Sequence, residues 1–133
     1  MRRNSKIEWV AARDIKKEIK NIVRKLEFKH IKTESIICFR SSNSHSRARA
    51  RIWSFPRIWQ LALNLPPYYV IEVLSQYYDK LSEDDKRRVL IHELLHIPQN
   101  FSGSLLPHRG RGRSIDNRRV EGLFRQYVNH YSR

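Results

Sequence analysis

Apolar residues recur every three or four positions in residues 9–26, with lysines and arginines between them. This spacing matches one face of an α-helix, so it predicts an amphipathic N-terminal helix that covers a sheet. Residues 89–97 are apolar on nearly every side of a helical wheel, a pattern typical of a buried helix. Residues 120–128 repeat the amphipathic spacing and predict a C-terminal helix.

Strand patterns lie between these helices. Residues 35–40 are β-branched and aromatic and run into a Ser/Asn loop, and residues 68–74 form a second strand candidate. Residues 47–53 alternate arginine with small or apolar residues, which favours an edge strand. Residues 58–63 follow Pro56, and their pattern does not decide between helix and strand. The elements together predict an α+β fold, with a small mixed sheet packed by the N-terminal and buried helices and a C-terminal helix beside them.

Capping and breaking residues set the expected helix ends. Ser82 precedes three acidic residues and suits an N-cap, and Ser114 suits a second N-cap. Pro98 disfavours a helical Ile97, so the buried helix is expected to end about one residue after His96. Residues 99–113 contain three glycines and a proline and are expected to form a loop.

Length and composition narrow the classes of protein. A chain of 133 residues with 40% hydrophobic residues predicts a single domain spanning residues 1–133. The polar N-terminus lacks the apolar core of a signal peptide and no apolar run is long enough to span a membrane, so we expect a cytoplasmic protein with no membrane partner. Cys38, the single cysteine, is expected to be a small buried hydrophobe. The oligomeric state is left open.

The net charge of +14 attracts polyanions, so nucleic acid is an expected partner of the basic surface. The equal alternative is that the charge only keeps the protein soluble or reflects a protein from a hot environment. Two segments concentrate arginine. The first holds Arg47, Arg49 and Arg51, and the second holds Arg109, Arg111 and Arg113.

The candidate chemistry lies in the pentapeptide at residues 92–96. His92 and His96, four residues apart on a helix, project from one face and can bind one metal ion. Glu93 stands between them amid apolar neighbours, where a carboxylate without a partner is costly. The pattern therefore predicts a zinc hydrolase in which Glu93 is the general base and later the general acid.

A catalytic zinc site commonly takes a third protein ligand. His108 is the leading candidate, because the glycine- and proline-rich loop can return it to the end of the helix. Glu121 from the C-terminal helix is second, and Asp116 is third. The sequence does not choose the residue that stabilises the oxyanion; four candidates are Tyr127, His130, Arg109 and Arg113.

Residues 89–98, followed by Phe101-Ser102-Gly103 and Pro107-His108, resemble the small metallopeptidases of archaea and phages, which are minimal zincin-like domains. The resemblance extends back through residues 69–74 and 81–82. It implies zinc held by His92, His96 and His108, with Glu93 as the catalytic carboxylate. A looser similarity to SprT-like proteases suggests a link to DNA, although the chain lacks their cysteine-rich zinc ribbon. Pro98 and Gln99 also depart from the metzincin spacing.

The resulting prediction is zinc-dependent hydrolysis of a peptide or protein substrate, with the edge strand at residues 47–53 or 68–74 aligning the extended chain. Two alternatives stay open. One is a nucleic-acid-associated metalloprotein, either a DNA-linked protease or a metal-dependent hydrolase of nucleic acid. The other is a catalytically idle fold in which zinc only joins the helix to the loop.

Overall fold

The computed structural model describes residues 6–108 and 115–131. In chain order the elements are β1 Glu8–Ala11, α1 Arg13–Lys25, a 3-10 turn at Thr33–Ser35, β2 Ile36–Ser42, β3 Ala50–Trp53, α2 Arg57–Leu63, β4 Tyr69–Leu74, α3 Ser75–Tyr78, α4 Glu83–Leu94 and α5 Asn117–Tyr131. The predicted mixture of helices and strands is confirmed. The undecided run after Pro56 is a helix, α2.

The four strands form one mixed sheet in the order β1-β2-β4-β3. β2 and β4 are parallel, whereas β1 pairs with β2 and β3 pairs with β4 in antiparallel fashion. The prediction of an edge strand at residues 47–53 is confirmed by β3, although the strand starts only at Ala50. The alternative edge at residues 68–74 is wrong, because β4 is hydrogen-bonded on both sides.

The core lies between the sheet and three helices, α1, α4 and α5. Ile19 and Ile22 of α1, Leu90 of α4 and Ile71 of β4 are fully buried there. Cys38 is 6% exposed, as predicted, and its burial raises the pKa of the thiol to about 11. Within residues 6–108 and 115–131, no helix has the length and apolar character that a membrane crossing needs.

The first predicted helix begins later than its apolar spacing indicates. Trp9 belongs to β1, where it pairs with Ser41, and α1 starts after Ala12. The spacing of Trp9 to Ala12 fits a helix equally well, but hydrogen bonds to β2 give these residues an extended partner. The Trp9 side chain therefore projects from the sheet and is 49% exposed.

The ends of α4 confirm one prediction and correct another. The Ser82 side chain accepts a hydrogen bond from the Asp85 N–H at 3.1 Å, as an N-cap does. The helix ends at Leu94, so His96 lies beyond it and not inside it. The N–H of His96 bonds to the carbonyl of Glu93, a tighter step of three residues that closes the helix before Pro98. Ser114 lies outside the described residues.

Candidate metal centre

Two histidines stand at the end of α4. His92 is on its last turn, and His96 follows in the tight turn beyond it. Their ring centroids are 5.3 Å apart. The two side chains therefore lie close together as predicted, although the helix ends before His96.

The following loop returns to the helix end and brings His108 to the pair. The N–H of Leu106 donates to the His96 carbonyl at 2.8 Å, and His96 Nδ1 lies 2.5 Å from the Leu106 carbonyl. A carbonyl oxygen only accepts hydrogen bonds, so Nδ1 of His96 is the donor and carries the proton, which leaves the lone pair of Nε2 for a metal ion. The loop therefore both positions His108 and orients His96.

Side chains from the body of the protein fix this loop in place. Gln60 Nε2 donates to the carbonyls of Phe55 and Ser102, each at 2.8 Å. The Tyr69 hydroxyl donates to the Ser104 carbonyl and accepts from the Gly103 N–H, both at 2.8 Å. The sequence gives no sign of these contacts, because they join α2 and β4 to a loop more than 30 residues away.

The three histidines form one compact group. One ring nitrogen from each of His92, His96 and His108 lies within 4.8 Å of the other two, and the Nε2 atoms of His92 and His108 are 3.0 Å apart. Three convergent imidazoles are a donor set that suits a transition-metal ion. The three residues could hold a metal ion, and the structure brings together the histidines that the sequence singles out.

Burial favours the neutral form of two of these histidines, His92 and His96. It lowers the pKa of His92 to about 4, with smaller contributions from the charges of His96 and His108. Burial also lowers the pKa of His96, partly opposed by its contact with the Leu106 carbonyl. A neutral imidazole has a free lone pair, which is the form that binds a metal.

Glu93 lies on the inner side of α4 and is 8% exposed. Burial raises the pKa of its carboxyl to about 8, and a hydrogen bond from the backbone of Ile52 partly opposes this rise. Ile52 belongs to β3, so the edge strand runs beside the candidate catalytic carboxylate.

The hydrogen-bond pattern of β3 explains why Ile52 reaches Glu93. The N–H of Leu74 donates to the Arg49 carbonyl at 2.9 Å, which places the main-chain groups of Arg49 toward β4. Because these groups alternate in an antiparallel pair, those of Ala50 and Ile52 point away from the sheet. The alternation in the sequence predicts the edge, but it does not show which residue faces Glu93.

A cavity of about 460 Å³ adjoins the group. Its wall includes His92, Glu93 and Ala50, together with Arg88 and Glu121. The space therefore lies between the edge strand, α4 and α5, next to the histidines.

The two other ligand candidates have different partners. Glu121 is bound by Arg88 at 2.8 Å and by Arg125 at 3.5 Å, and the hydrogen bond from Arg88 is the main reason that its pKa is lowered. Asp116 Oδ1 accepts a hydrogen bond from the Arg119 N–H at 2.9 Å, at the start of α5. The structure gathers neither carboxylate into the histidine group.

The candidates for oxyanion stabilisation are not brought together at the group. The Tyr127 hydroxyl donates to Glu18 at 2.8 Å, in the packing of α5 on α1. His130 lies on the exposed surface of α5. Arg109 and Arg113 lie outside the described residues.

Comparison with known proteins gives a family. Residues 7–121 match the family described as "Putative phage metallopeptidase", which covers most of the 133 residues and includes the whole histidine group. No curated protein and no solved structure matches the chain significantly. The extent of the family match, over the same residues that build the histidine group, means that the chain belongs to the phage metallopeptidase family.

Proposed function

We propose that this protein is a zinc-dependent peptidase in which His92, His96 and His108 hold the metal and Glu93 is the general base. The observation that carries the proposal is the meeting of three histidine nitrogens beside a buried carboxylate at the edge of a sheet. The family supports the peptidase chemistry.

The donor set fits zinc. Tetrahedral zinc holds histidine nitrogens at about 2.0–2.1 Å, which places two of them about 3.3 Å apart. The Nε2 atoms of His92 and His108 are 3.0 Å apart, and His96 has its Nδ1 against a carbonyl, as zinc-binding histidines commonly do. With three protein ligands, the fourth position stays open to water or substrate.

Glu93 would move the proton. Zinc, when bound, polarises the scissile carbonyl and acidifies the attacking water. The Glu93 carboxylate accepts the proton of that water and returns it to the leaving amine nitrogen, so one residue acts first as base and then as acid. The hydrogen bond from Ile52 holds the carboxylate at the strand edge, facing the space where a substrate would lie.

The edge strand β3 would align the substrate. The main-chain groups of Ala50 and the Ile52 carbonyl point outward, so an extended peptide can pair with them as an added strand, while the Ile52 N–H holds Glu93. The adjacent cavity of about 460 Å³ is large enough for a substrate side chain. A cytoplasmic location belongs to the same proposal.

The test separates metal binding from chemistry. We expect the purified protein to bind one zinc ion and to cleave a casein or mixed-peptide substrate. Glu93→Gln should retain zinc and lose at least about 100-fold of the hydrolysis, at the lower end of the effect of removing a general base. His108→Ala should weaken zinc binding by at least about 10-fold in competition with a coloured chelator.

His45→Ala is the matched control, because His45 is an exposed loop histidine outside the group. Its zinc affinity and hydrolysis should equal those of the parent protein. Full zinc binding without any cleavage would leave the idle, zinc-joined fold as the correct alternative. If His108→Ala binds zinc normally and Glu121→Ala does not, the third ligand is the carboxylate.

A further inference from the structure

The face of the sheet opposite α1, α4 and α5 carries an aromatic concavity. Trp9, Phe39 and Trp53 come from β1, β2 and β3 and, with Val70 and Glu72 of β4, line a space of about 480 Å³. Trp9 is 49% exposed and Trp53 is 47% exposed. Three rings from three strands, with β4 between β2 and β3, thus surround one open depression, which we call the aromatic pocket.

A buried carboxylate forms part of its wall. Glu72 is fully buried, and its Oε1 atom accepts hydrogen bonds from Arg51 and from the Trp53 indole, both at 2.9 Å. Oε2 has the Ser41 hydroxyl beside it, but no hydrogen bond of ordinary length within the described part of the chain. Glu72 therefore lies within the wall of the pocket, where its carboxylate holds the Trp53 indole in place.

The charge around the pocket selects the kind of ligand. Residues 41–71 contain four arginines and no Asp or Glu, and the whole chain has a net charge of +14. Glu72 is neutralised by Arg51, whose guanidinium also lies over the Trp53 ring at 5.0 Å from its centroid. Aromatic pockets with a carboxylate otherwise suit organic cations, but this field repels a cation and attracts a polyanion.

We propose that the aromatic pocket binds single-stranded nucleic acid, with unpaired bases stacked on Trp9 and Trp53 and phosphates attracted by the net charge of +14. Stacking of bases on exposed aromatic rings of a sheet, combined with a basic surround, is a general mode of single-strand binding. The pocket is on the face of the sheet opposite the metal centre's helices, so this binding does not depend on hydrolysis.

The direct test is anisotropy with a fluorescein-labelled 15-nucleotide DNA of mixed sequence, as a single strand and as a duplex. We expect tighter binding of the single strand, because paired bases cannot stack on the rings. Trp9→Ala should weaken single-strand binding about 5- to 100-fold, the range for loss of one stacked base, and Trp9→Phe should restore most of it. Trp59→Ala is the matched control, since Trp59 is 55% exposed on α2 and does not line the aromatic pocket.

A second measurement uses the unaltered protein and does not require any variant to fold. In proton–nitrogen NMR spectra, the single strand should shift the indole signals of Trp9 and Trp53 more than that of Trp59. Equal affinity for single strand and duplex, or unchanged Trp9 and Trp53 signals at saturation, would overturn the proposal. Displacement of the DNA by polyglutamate with Trp9→Ala unaffected would also overturn it and point to an acidic protein partner.

Discussion

At the scale of a single residue, the buried position of Glu93 costs the metal-free protein stability. Its burial raises the pKa of the carboxyl from 4.5 to about 8. A raised pKa means that the group stabilises the fold fully below pH 4.5 and that this contribution is lost as the pH rises through 8. A metal ion beside the carboxylate would offset the loss, which explains why such a residue is tolerated amid apolar neighbours.

The first prediction follows for the metal-free protein. Glu93→Gln cannot ionise, so it should melt above the parent at pH 8–9, and the gap should close toward pH 4.5. At 1.36 kcal/mol per pKa unit, the difference in the free energy of unfolding is at most about 5 kcal/mol. Thermal melts over this pH range in chelator measure it.

Glu121→Gln is the control for that series. Glu121 is also a carboxylate near the cavity, but Arg88 lowers its pKa, so its removal should not raise the melting temperature at alkaline pH. If Glu93→Gln and the parent show the same pH dependence, Glu93 is not buried in the way described.

At the scale of elements, the loop after α4 matters as much as the helix. Its backbone must pass close to Phe55 and Gln60 to return His108, and Gly103 makes this possible with a φ of +96°. A β-carbon at Gly103 would lie 2.3 Å from the Phe55 carbonyl oxygen, far below any real contact. Because Gly103 has no side chain, the loop can approach Phe55 and the Gln60 side chain of α2 this closely.

The second prediction compares two glycines. Gly103→Ala should lower the free energy of unfolding by more than about 2 kcal/mol and weaken zinc binding, because both φ and the space are wrong for alanine. Gly122→Ala, in α5 with nothing within 4 Å of the added carbon, should instead stabilise the protein by about 0.5–1 kcal/mol. Urea unfolding with and without zinc gives both values. Equal effects of the two substitutions would contradict the role given to the loop.

The elements also show how far the sequence alone predicts this structure. The helical wheel and the spacing of His92 and His96 locate α4, and the loop composition predicts the return of His108, because both signals are local. The apolar spacing wrongly includes Trp9 in the first helix, because the choice between helix and strand depends on pairing with β2, which is distant in the sequence. The contact of Ile52 with Glu93 depends on the register of β3 against β4 and has no local signal.

At the scale of the whole molecule, β3 connects the two surfaces for which functions are proposed. The backbone of Ile52 contacts Glu93, while the side chains of Arg51 and Trp53 extend over the opposite face of the sheet to Glu72. Arg51 is therefore not part of a free basic patch, because it pairs with Glu72 at 2.9 Å. In the first arginine-rich segment, Arg47 and Arg49 are the remaining candidates for contact with phosphate. The arginines of the second segment, Arg109, Arg111 and Arg113, lie outside the described residues.

The last prediction concerns metal and pH together. Burial lowers the pKa of His30, His92 and His96. Their contribution to the stability of the metal-free fold is therefore fully present above pH 6.5. It is lost as the pH falls through the lowered pKa, which is about 4 for His92. Zinc binds the neutral imidazoles of the folded state, and at 100 times its dissociation constant it adds about 2.7 kcal/mol. Chelation at pH 7.5 should therefore lower the melting temperature by about 10 °C, and re-added zinc should restore it.

The same shift should shrink as the pH falls toward 4, because protons compete with zinc for the imidazoles, including His92 with its pKa of about 4. His108→Ala should lose most of the shift at pH 7.5, whereas His45→Ala should keep it. A shift of equal size at pH 4 and pH 7.5 would contradict metal binding by the histidine group. The pH dependence of the zinc-induced shift thus tests the type of ligand, because stabilisation by the histidines gathered at the end of α4 must be lost as their imidazoles take up protons.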